Sequence, residues 1–199
     1  MKVGIIGVGN IGGIFCEQLK KDPAITLHLF DKHSVKLGSY EGKGCNCSKS
    51  APEAVKESDI ILLAVKPQDT VPLLKELQDC DFEQKIVIST ITGISISRIA
   101  QEINASKIAR IMPNVPSAIG KGVTGICYAK AFSPEEKDAV NCILSKLGIV
   151  IEIEEKAFPA VTALSGSGPA FVFVVIESMI DIGLKMGLSY DVSRELVLG

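Results

Sequence analysis

Apolar and polar positions along the chain form blocks of strand length and helix length. Apolar runs long enough for strands lie at residues 2–6, 25–30, 59–65, 85–89 and 107–112. Helical periodicity separates several of these runs, at residues 12–19, 67–77 and 96–103. The run at 59–65 is almost entirely apolar, which is typical of a strand buried on both faces of a parallel sheet. The alternation predicts an α/β fold built on a doubly wound parallel sheet.

Two further strands and a capped helix extend this pattern. Residues 122–128 and 149–153 have the character of strands that close the sheet. Between them, Ser133 and Glu136 have the spacing of a helix capping box, and Pro134 stands at the first helical position. The sheet is therefore expected to continue to about residue 153.

The end of the chain has a different pattern. Strand character stops after residue 154, which predicts a sheet domain at residues 1–155 and a helical domain at residues 156–199. From residue 169 to about 186 nearly every position is apolar, and a helix of that kind has to be buried all round. Leaving five such side chains in water would forgo roughly 8–15 kcal/mol, which matches the ~5–15 kcal/mol stability of a whole domain. Because little sequence remains to cover this helix, we expect a homodimer or higher homo-oligomer.

A glycine motif follows the first predicted strand. Between that strand and a helical pattern stands the sequence Gly7-Val8-Gly9-Asn10-Ile11-Gly12, as the dinucleotide fingerprint requires. Gly7 permits the tight turn, Gly9 leaves room for a pyrophosphate, and Gly12 allows close contact between helix and strand. The helix amino terminus then faces the phosphates. The motif predicts a Rossmann-type domain in which these residues bind NADP or NAD. The weaker alternative is a glycine turn in a fold that binds no nucleotide.

The second predicted strand ends at an acidic residue. Asp31 follows Gly12 by about twenty residues, where an acid binds the hydroxyls of the adenosine ribose. An acid there repels the 2′-phosphate of NADP and favours NAD. Lys32 and His33 follow directly and would instead attract that phosphate. Loop geometry decides between the two cofactors, and the order of residues does not give it.

Composition narrows the classes of partner. The 199 residues carry a net charge of −2 without a basic patch, so nucleic acid is not expected as a partner. The mean hydropathy of +0.33 is high, but no run reaches the ~18 uncharged apolar residues of a membrane helix. Gly7 and Gly9 interrupt the first residues too early for a secretory signal. We therefore expect a cytoplasmic protein that binds no membrane.

The six cysteines do not have the spacing of a metal site. Cys45 and Cys47 form the one close pair, and His28 and His33 stand well before them. A metal site needs about four ligands in suitable geometry. We expect no metal, and thiols that stay reduced and chemically inert.

A small, glycine-rich segment leads into the long apolar helix. It reads Thr162-Ala163-Leu164-Ser165-Gly166-Ser167-Gly168-Pro169-Ala170-Phe171. Pro169 suits a first helical turn, and Ser165 and Ser167 are typical capping residues. A helix start of this kind presents free N–H groups to an anion. Composition alone leaves two interpretations, an anion-binding site or a close helix–helix contact through glycine, and favours the second.

Four blocks of the chain resemble, in order, the pyrroline-5-carboxylate reductase family. Residues 162–187 are similar to its C-terminal signature, and the glycine motif is similar to its amino-terminal one. The blocks between them read Ala64-Val65-Lys66-Pro67-Gln68 and Arg110-Ile111-Met112-Pro113-Asn114-Val115-Pro116. The resemblance implies hydride transfer from NAD(P)H to the imine carbon of 1-pyrroline-5-carboxylate, which gives proline. It also implies NADPH as the common cofactor and dimers whose helical carboxyl halves interlock.

The resemblance assigns roles to residues of these blocks. Contacts to the ribose side of the nucleotide would come from Ala64, Val65, Lys66 and Pro67. Positions beside the nicotinamide would be taken by Thr92, Gly93 and Asn114, with Asn114 also bordering the substrate. The catalytic residues that orient the substrate would be Ser165, Ser167 and Gly168. Lys66 is equally well interpreted as a solvated surface lysine.

Two other functions stay open. A β-hydroxyacid dehydrogenase shares the fold and the cofactor, but that family carries a lysine about a turn past a glycine-rich helix start. Residues 169–176 contain no lysine. The other alternative is a nucleotide-binding remnant without catalytic activity. A new helix begins at Ser189 and the chain stops at Gly199, where the family continues with further helices and a substrate-binding loop. We therefore expect a truncated helical dimerisation domain.

Overall fold

Strands and helices alternate through the first part of the chain, as the apolar pattern predicts. The computed structural model describes residues 1–42 and 44–199. The strands are β1 Lys2–Ile6, β2 Thr26–Phe30, β3 Cys45–Cys47, β4 Ile60–Leu63, β5 Ile86–Ser89, β6 Ile108–Met112, β7 Gly122–Tyr128 and β8 Gly148–Glu152. The helices are α1 Asn10–Leu19, α2 Ala51–Lys56, α3 Pro67–Leu77, α4 Ile96–Ile103, α5 Pro134–Leu144, α6 Phe158–Val161, α7 Gly168–Lys185 and α8 Tyr190–Leu198. The chain divides into two units, Met1–Phe158 and Pro159–Gly199.

The described strands form one sheet in the order β3-β2-β1-β4-β5-β6-β7-β8. Neighbouring strands are parallel except β6 and β7, which are antiparallel. The prediction of a parallel sheet therefore needs a correction at this edge, where β7 and β8 run opposite to the other strands. The reason lies in the connection between Met112 and Gly122. It holds a single short 3₁₀ turn, Val115–Ile119, whereas a parallel crossover takes about a dozen residues or more.

The apolar pattern did not predict two short elements, β3 and α2. The strand β3 pairs with the edge of β2 through Cys45–Cys47, a segment too short and too polar to produce a periodic signal. Helix α2 is short, but its start carries a readable signal. The Ser50 hydroxyl accepts a hydrogen bond from the Glu53 amide at 3.2 Å, and the Glu53 carboxylate accepts one from the Lys49 amide. The Ser-x-x-Glu spacing of a capping box would have located this helix.

Two apolar cores cover the two faces of the sheet. On one face α1 and α5 pack on the strands, with Phe15 and Leu144 among the fully buried side chains. On the other face lie α2, α3 and α4, with Leu77 and Ile99 fully buried. Adjacent residues of β1 serve opposite faces, since Ile5 joins the first core and Ile6 the second. This alternation fixes the strand registers and brings the carboxyl ends of β1, β2, β4 and β5 to one edge.

The helical unit corrects the expectation of a helix start at Pro169. The helix runs on from Glu155 to Lys185 and includes a π-helical segment, Thr162–Ser167, directly before α7. A proline inside a helix lacks its own N–H, and its ring meets the carbonyl four residues earlier, here that of Ser165. The wider π turn accommodates such a residue without ending the helix. The Ser-Gly segment is therefore part of a continuous helix, and the predicted cap with exposed N–H groups is wrong.

The same helix bears on the expectation about membranes. By length and composition alone, the helix Glu155–Lys185 is long and apolar enough to cross a bilayer, since an 18-residue window within it has a mean hydropathy of 1.7. Residues 157–176 carry no charge, but Thr162, Ser165 and Ser167 interrupt the apolar run, which is why a search for uncharged apolar residues did not select this segment. The two criteria differ, because this one accepts charged and polar residues within the window, and the expectation that the protein binds no membrane stays a prediction. Apolar core helices of other proteins pass the same test, so the observation alone does not identify a membrane span.

Candidate functional site

A cavity of about 1050 Å³ lies at the carboxyl ends of β1, β2, β4 and β5. Loops that follow parallel strands meet at this edge, which is where α/β sheets bind their ligands. Most of the predicted cofactor residues lie along its wall: Gly7, Gly9, Asn10, Ile11, Asp31, Lys32, Ala64, Val65, Lys66, Pro67 and Thr92. The fold thus brings together residues from four separate stretches of the chain.

The glycine loop, residues 7–12, packs closely against the protein on one side and borders open space on the other. The Gly7 amide donates to the Phe30 carbonyl at 2.8 Å, and Gly7 has a φ of +96°. A Cβ at Gly12 would overlap the Gly7 carbonyl oxygen, so helix α1 packs directly on the turn. A Cβ at Gly9 would meet no atom within 4 Å. Val8 is buried behind the loop. Gly9 therefore borders the open space of the cavity, and its missing side chain leaves room there for a ligand.

Asp31 lines the cavity, but its carboxylate is already bonded to the protein. The Val8 amide donates to Oδ2 at 2.8 Å and the His33 amide to Oδ1 at 2.9 Å. The Lys36 ammonium lies 3.1 Å from Oδ2, and only 4% of the Asp31 side chain is exposed. These partners use most of the acceptor capacity of the group. The carboxylate therefore holds the glycine loop and has little capacity left for ribose hydroxyls.

The surroundings of Asp31 also set its ionisation. Burial by itself would raise the pKa of the carboxyl. The His33 amide, the Lys36 ammonium and the Val8 amide outweigh burial and hold the pKa below its ordinary value. The charged form is thus the stable one in the folded protein.

We expect Asp31→Asn to lower the free energy of unfolding at neutral pH by about 1.5–3 kcal/mol, the range for hydrogen bonds to charged groups. Because the folded pKa is lower than the unfolded one, the carboxylate stabilises the fold above the unfolded value of about 4. That contribution is lost as the pH falls through the folded pKa. Urea denaturation at several pH values measures the difference, with the exposed Asp79→Asn as the control. A difference that stays constant into the acid range would contradict this assignment.

Two lysines, Lys32 and Lys36, line the cavity in the loop that follows β2. Lys32 bonds Asp69 of α3 and is largely exposed, whereas Lys36 bonds Asp31. His33 lines the same part of the cavity, and the exposed Lys66 stands across it. Sequence reasoning named Lys32, His33 and Lys66 here but missed Lys36. Its place within a turn of Asp31 was the available signal, because a short 3₁₀ turn brings it back over the carboxylate.

Gly93 and Asn114 lie outside the cavity wall as far as the described residues define it. Gly93 follows Thr92 with a φ of +79° and completes the turn after β5. Asn114 is buried, and its Oδ1 accepts the Val123 amide at 2.9 Å. The geometry gives Asn114 a visible role in joining β6 to β7. A place beside the nicotinamide stays a prediction for both residues.

The predicted catalytic residues belong to the helical unit. Ser165 and Ser167 lie in the π-helical segment, and Gly168 begins α7. Ser167 is exposed, and Ser165 is half-buried. π turns in helices occur frequently at functional sites. Their role toward the substrate stays a prediction.

No metal site is visible in residues 1–42 and 44–199, where no three His, Cys, Asp or Glu side chains are suitably grouped. Burial raises the pKa of Cys16 to about 12, which keeps that thiol protonated. Cys45 and Cys47 lie in the edge strand β3, and burial also raises the pKa of both.

Two family models match parts of the chain. The model described as pyrroline-5-carboxylate reductase dimerisation matches residues 155–199. The model described as NADP oxidoreductase coenzyme F420-dependent matches residues 2–93. The first covers the helical stretch and the second the glycine loop with most of the cavity wall.

Individual proteins match over nearly the whole chain. The pyrroline-5-carboxylate reductase of Aquifex aeolicus is 36% identical over 100% of this chain and 74% of its own length. The Arabidopsis thaliana enzyme of the same name is 32% identical over 98% of this chain and 72% of its own length.

A solved structure agrees with this match. The crystal structure of Plasmodium falciparum pyrroline carboxylate reductase with NADP bound has a TM-score of 0.88 at 32% identity, covering 100% of this chain and 74% of that one. Together with the cavity and the order of the four sequence blocks, these similarities show that the chain belongs to the pyrroline-5-carboxylate reductase family.

Proposed function

We propose that this protein reduces 1-pyrroline-5-carboxylate to proline, with NADPH as the hydride donor. The observation that carries the proposal is the cavity formed by the glycine loop and the loops after β2, β4 and β5. It lies in a chain that is 36% identical to a reductase named for this substrate. The cofactor would lie along the cavity, and the substrate would lie at the end lined by Thr92.

The cavity residues fit a dinucleotide phosphate. Space in front of Gly9 and the amino terminus of α1 suit the pyrophosphate. Lys32, His33 and Lys36 line the cavity next to β2, where the adenosine 2′-phosphate would lie and where Lys32 would exchange its ion pair with Asp69 for the phosphate. Asp31, neutralised by Lys36, does not present a free negative charge to that phosphate. NADP bound to the Plasmodium falciparum relative supports this choice over NAD.

The reduction of a protonated imine needs no strong general acid or base from the protein. When bound, NADPH would supply the hydride, which would form a C–H bond to the imine carbon while the C=N electron pair moved to the protonated nitrogen. The protonated imine is already electrophilic. The protein aligns the reacting atoms, excludes water and holds the substrate carboxylate. We propose that Ser165, Ser167 and Gly168 orient the substrate, and that Asn114 and Gly93 support the nicotinamide side.

We propose that the protein works as a homodimer or larger homo-oligomer in the cytoplasm. The apolar surface of α7 and the match of residues 155–199 to a dimerisation model support a second copy as its cover. A bilayer would also suit Glu155–Lys185 by composition, but the dimerisation match favours the second copy. The net charge of −2 gives no support to nucleic acid as a partner.

The alternatives have less support. A β-hydroxyacid dehydrogenase would need a lysine early in α7, and residues 169–176 have none. A nucleotide-binding remnant would keep the same cavity, so the cavity does not distinguish it from a reductase, and the support for the reductase comes from the relatives named for that activity. Neither alternative is favoured by the relatives.

Purified protein should oxidise NADPH when 1-pyrroline-5-carboxylate is added, with one proline formed for each NADPH consumed. The loss of NADPH absorbance measures the cofactor consumed, and chromatography measures the proline formed. We expect kcat/KM for NADPH to exceed that for NADH by about tenfold or more, the value of one charge-assisted hydrogen bond of about 1.4 kcal/mol or more. Tight NADPH binding without turnover would favour the inactive alternative. Oxidation of a β-hydroxyacid instead would favour the dehydrogenase.

A further inference from the structure

A cluster at the end of the sheet domain joins three elements and contributes nothing to the cavity wall. Arg110 of β6 donates from Nη1 to Glu155 Oε1 at 3.1 Å. Its guanidinium carbon lies 4.4 Å from the ring centroid of Phe158. Only 12% of the Arg110 side chain is exposed, and Phe158 is buried. Arg110 is therefore fixed between an ion pair and an aromatic face.

The carboxylate oxygen that holds Arg110 also holds the start of helix α4. The Ile96 amide, the first of α4, donates to Glu155 Oε1 at 2.8 Å. A carboxylate at this place is favoured by the positive end of the helix as well as by the guanidinium. One side chain at the beginning of the stretch Glu155–Lys185 thus binds both β6 and α4.

The loop between β5 and α4 connects this cluster to the cavity. At its first end, the amide and the hydroxyl of Thr90 both donate to the Leu63 carbonyl, at 3.0 and 3.2 Å. At its last end, Ile96 is held by Glu155. Thr92 lies between these two attachments and lines the cavity. The loop that carries Thr92 is therefore anchored at both ends, and one anchor belongs to the helical stretch.

We propose that Arg110 and Glu155 are positioning residues for hydride transfer. They hold the loop with Thr92 at a fixed distance from the first turn of the stretch Glu155–Lys185. Breaking the pair releases the loop, because the Ile96 amide depends on the same Glu155 oxygen that the guanidinium holds in place. Misplacement of reacting groups by about 1 Å is enough to slow a reaction about 100-fold. The part that concerns hydride transfer rests on the proposed reductase function.

Glu155→Gln and Arg110→Met test the proposal, since both keep the size of the side chain. We expect kcat with the imine to fall about tenfold or more while the Kd of NADPH changes less than about threefold. The double variant should be no slower than the slower single variant, because both act on one contact. Arg110→Lys should recover part of the loss. Glu154→Gln is the matched control, since Glu154 bonds Lys156 in an exposed pair next to the cluster.

Hydrogen exchange of residues 90–96 separates positioning from general stability. We expect faster exchange there in Glu155→Gln, with the amides of β1 and β4 unchanged. Unchanged kcat in the folded variants, or uniform loss of protection across the sheet, would overturn the proposal. If the wild-type protein has no turnover with the imine, the proposed function fails. Exchange in the loop still tests the anchor in that case, and unchanged exchange there would overturn it.

Discussion

Replacing Gly9 by alanine should weaken NADPH binding about 10–100-fold without destabilising the fold. A Cβ at this position meets no protein atom within 4 Å, and the backbone has a φ of −88° that alanine adopts freely. The added methyl group therefore occupies only the space in front of the loop. If the pyrophosphate lies there, the overlap costs about 1–3 kcal/mol of binding free energy, typical of overpacking. Titration of the protein with NADPH, followed by fluorescence, measures the change.

Two neighbouring glycines provide controls for this variant. Gly13→Ala adds the same methyl group 3.5 Å from the Tyr40 hydroxyl, on helix α1 and away from the cavity. It should leave the NADPH affinity unchanged and favour the helix by about 0.5–1 kcal/mol. Gly12→Ala should unfold the domain or destabilise it strongly, because its Cβ overlaps the Gly7 carbonyl. Unchanged affinity in Gly9→Ala would contradict the assignment of the glycine loop to the cofactor.

Local patterns were sufficient to predict the framework of the first unit. The glycine loop depends on the contiguous residues 7–12, and the apolar run around Ile60–Leu63 on burial of both sheet faces. Helices α3 and α4 begin and end where the periodicity predicts, at Pro67–Leu77 and Ile96–Ile103. In each case the sequence signal lies within the element or within a few residues of it. Sequence reasoning works well where that condition holds.

Features that depend on distant parts of the chain were not predictable in this way. The direction of β7 follows from the short connection after Met112, and the pairing of Cys45–Cys47 depends on the edge of β2. The partners of Asp31 include a lysine that returns through a 3₁₀ turn. The Asn114 side chain bonds a backbone amide of the next strand. Asp31 and Asn114 are residue types that suit ligand binding, but both accept hydrogen bonds from the protein itself. The sequence does not show which donors their oxygen atoms bind.

The helical unit shows the same limit in another form. Residues 165–168 have the composition of a capped helix start, and sequence reasoning assigned them that structure. The structure instead continues the helix through a π segment ahead of Pro169. Local propensity gave the wrong conformation because the apolar stretch on either side favours one long helix. The apolar character of that helix was readable, and it leads to the second prediction.

A charged residue on the apolar surface of α7 should separate the oligomer into monomers. Phe171, Val174 and Val175 are 69%, 60% and 59% exposed, which places a continuous apolar patch on one described helix. Such patches mark interaction surfaces. Val175→Asp would bury an unpaired carboxylate in the interface, which costs several kcal/mol. We expect the dimer Kd to rise about 100-fold or more, with loss of reductase activity. Sedimentation velocity over a range of protein concentrations measures this change.

Val71→Asp is the matched control, because Val71 is an apolar residue with 52% exposure on helix α3 of the other unit. It should leave both the oligomer and the activity unchanged. Flotation with phosphatidylcholine–phosphatidylglycerol vesicles tests the competing partner, since Glu155–Lys185 is long and apolar enough for a bilayer. Wild-type protein that floats with vesicles would exclude a second copy as the main cover of α7. A wild-type monomer that stays in solution with full turnover would contradict both covers, because the exposed apolar surface would then need neither.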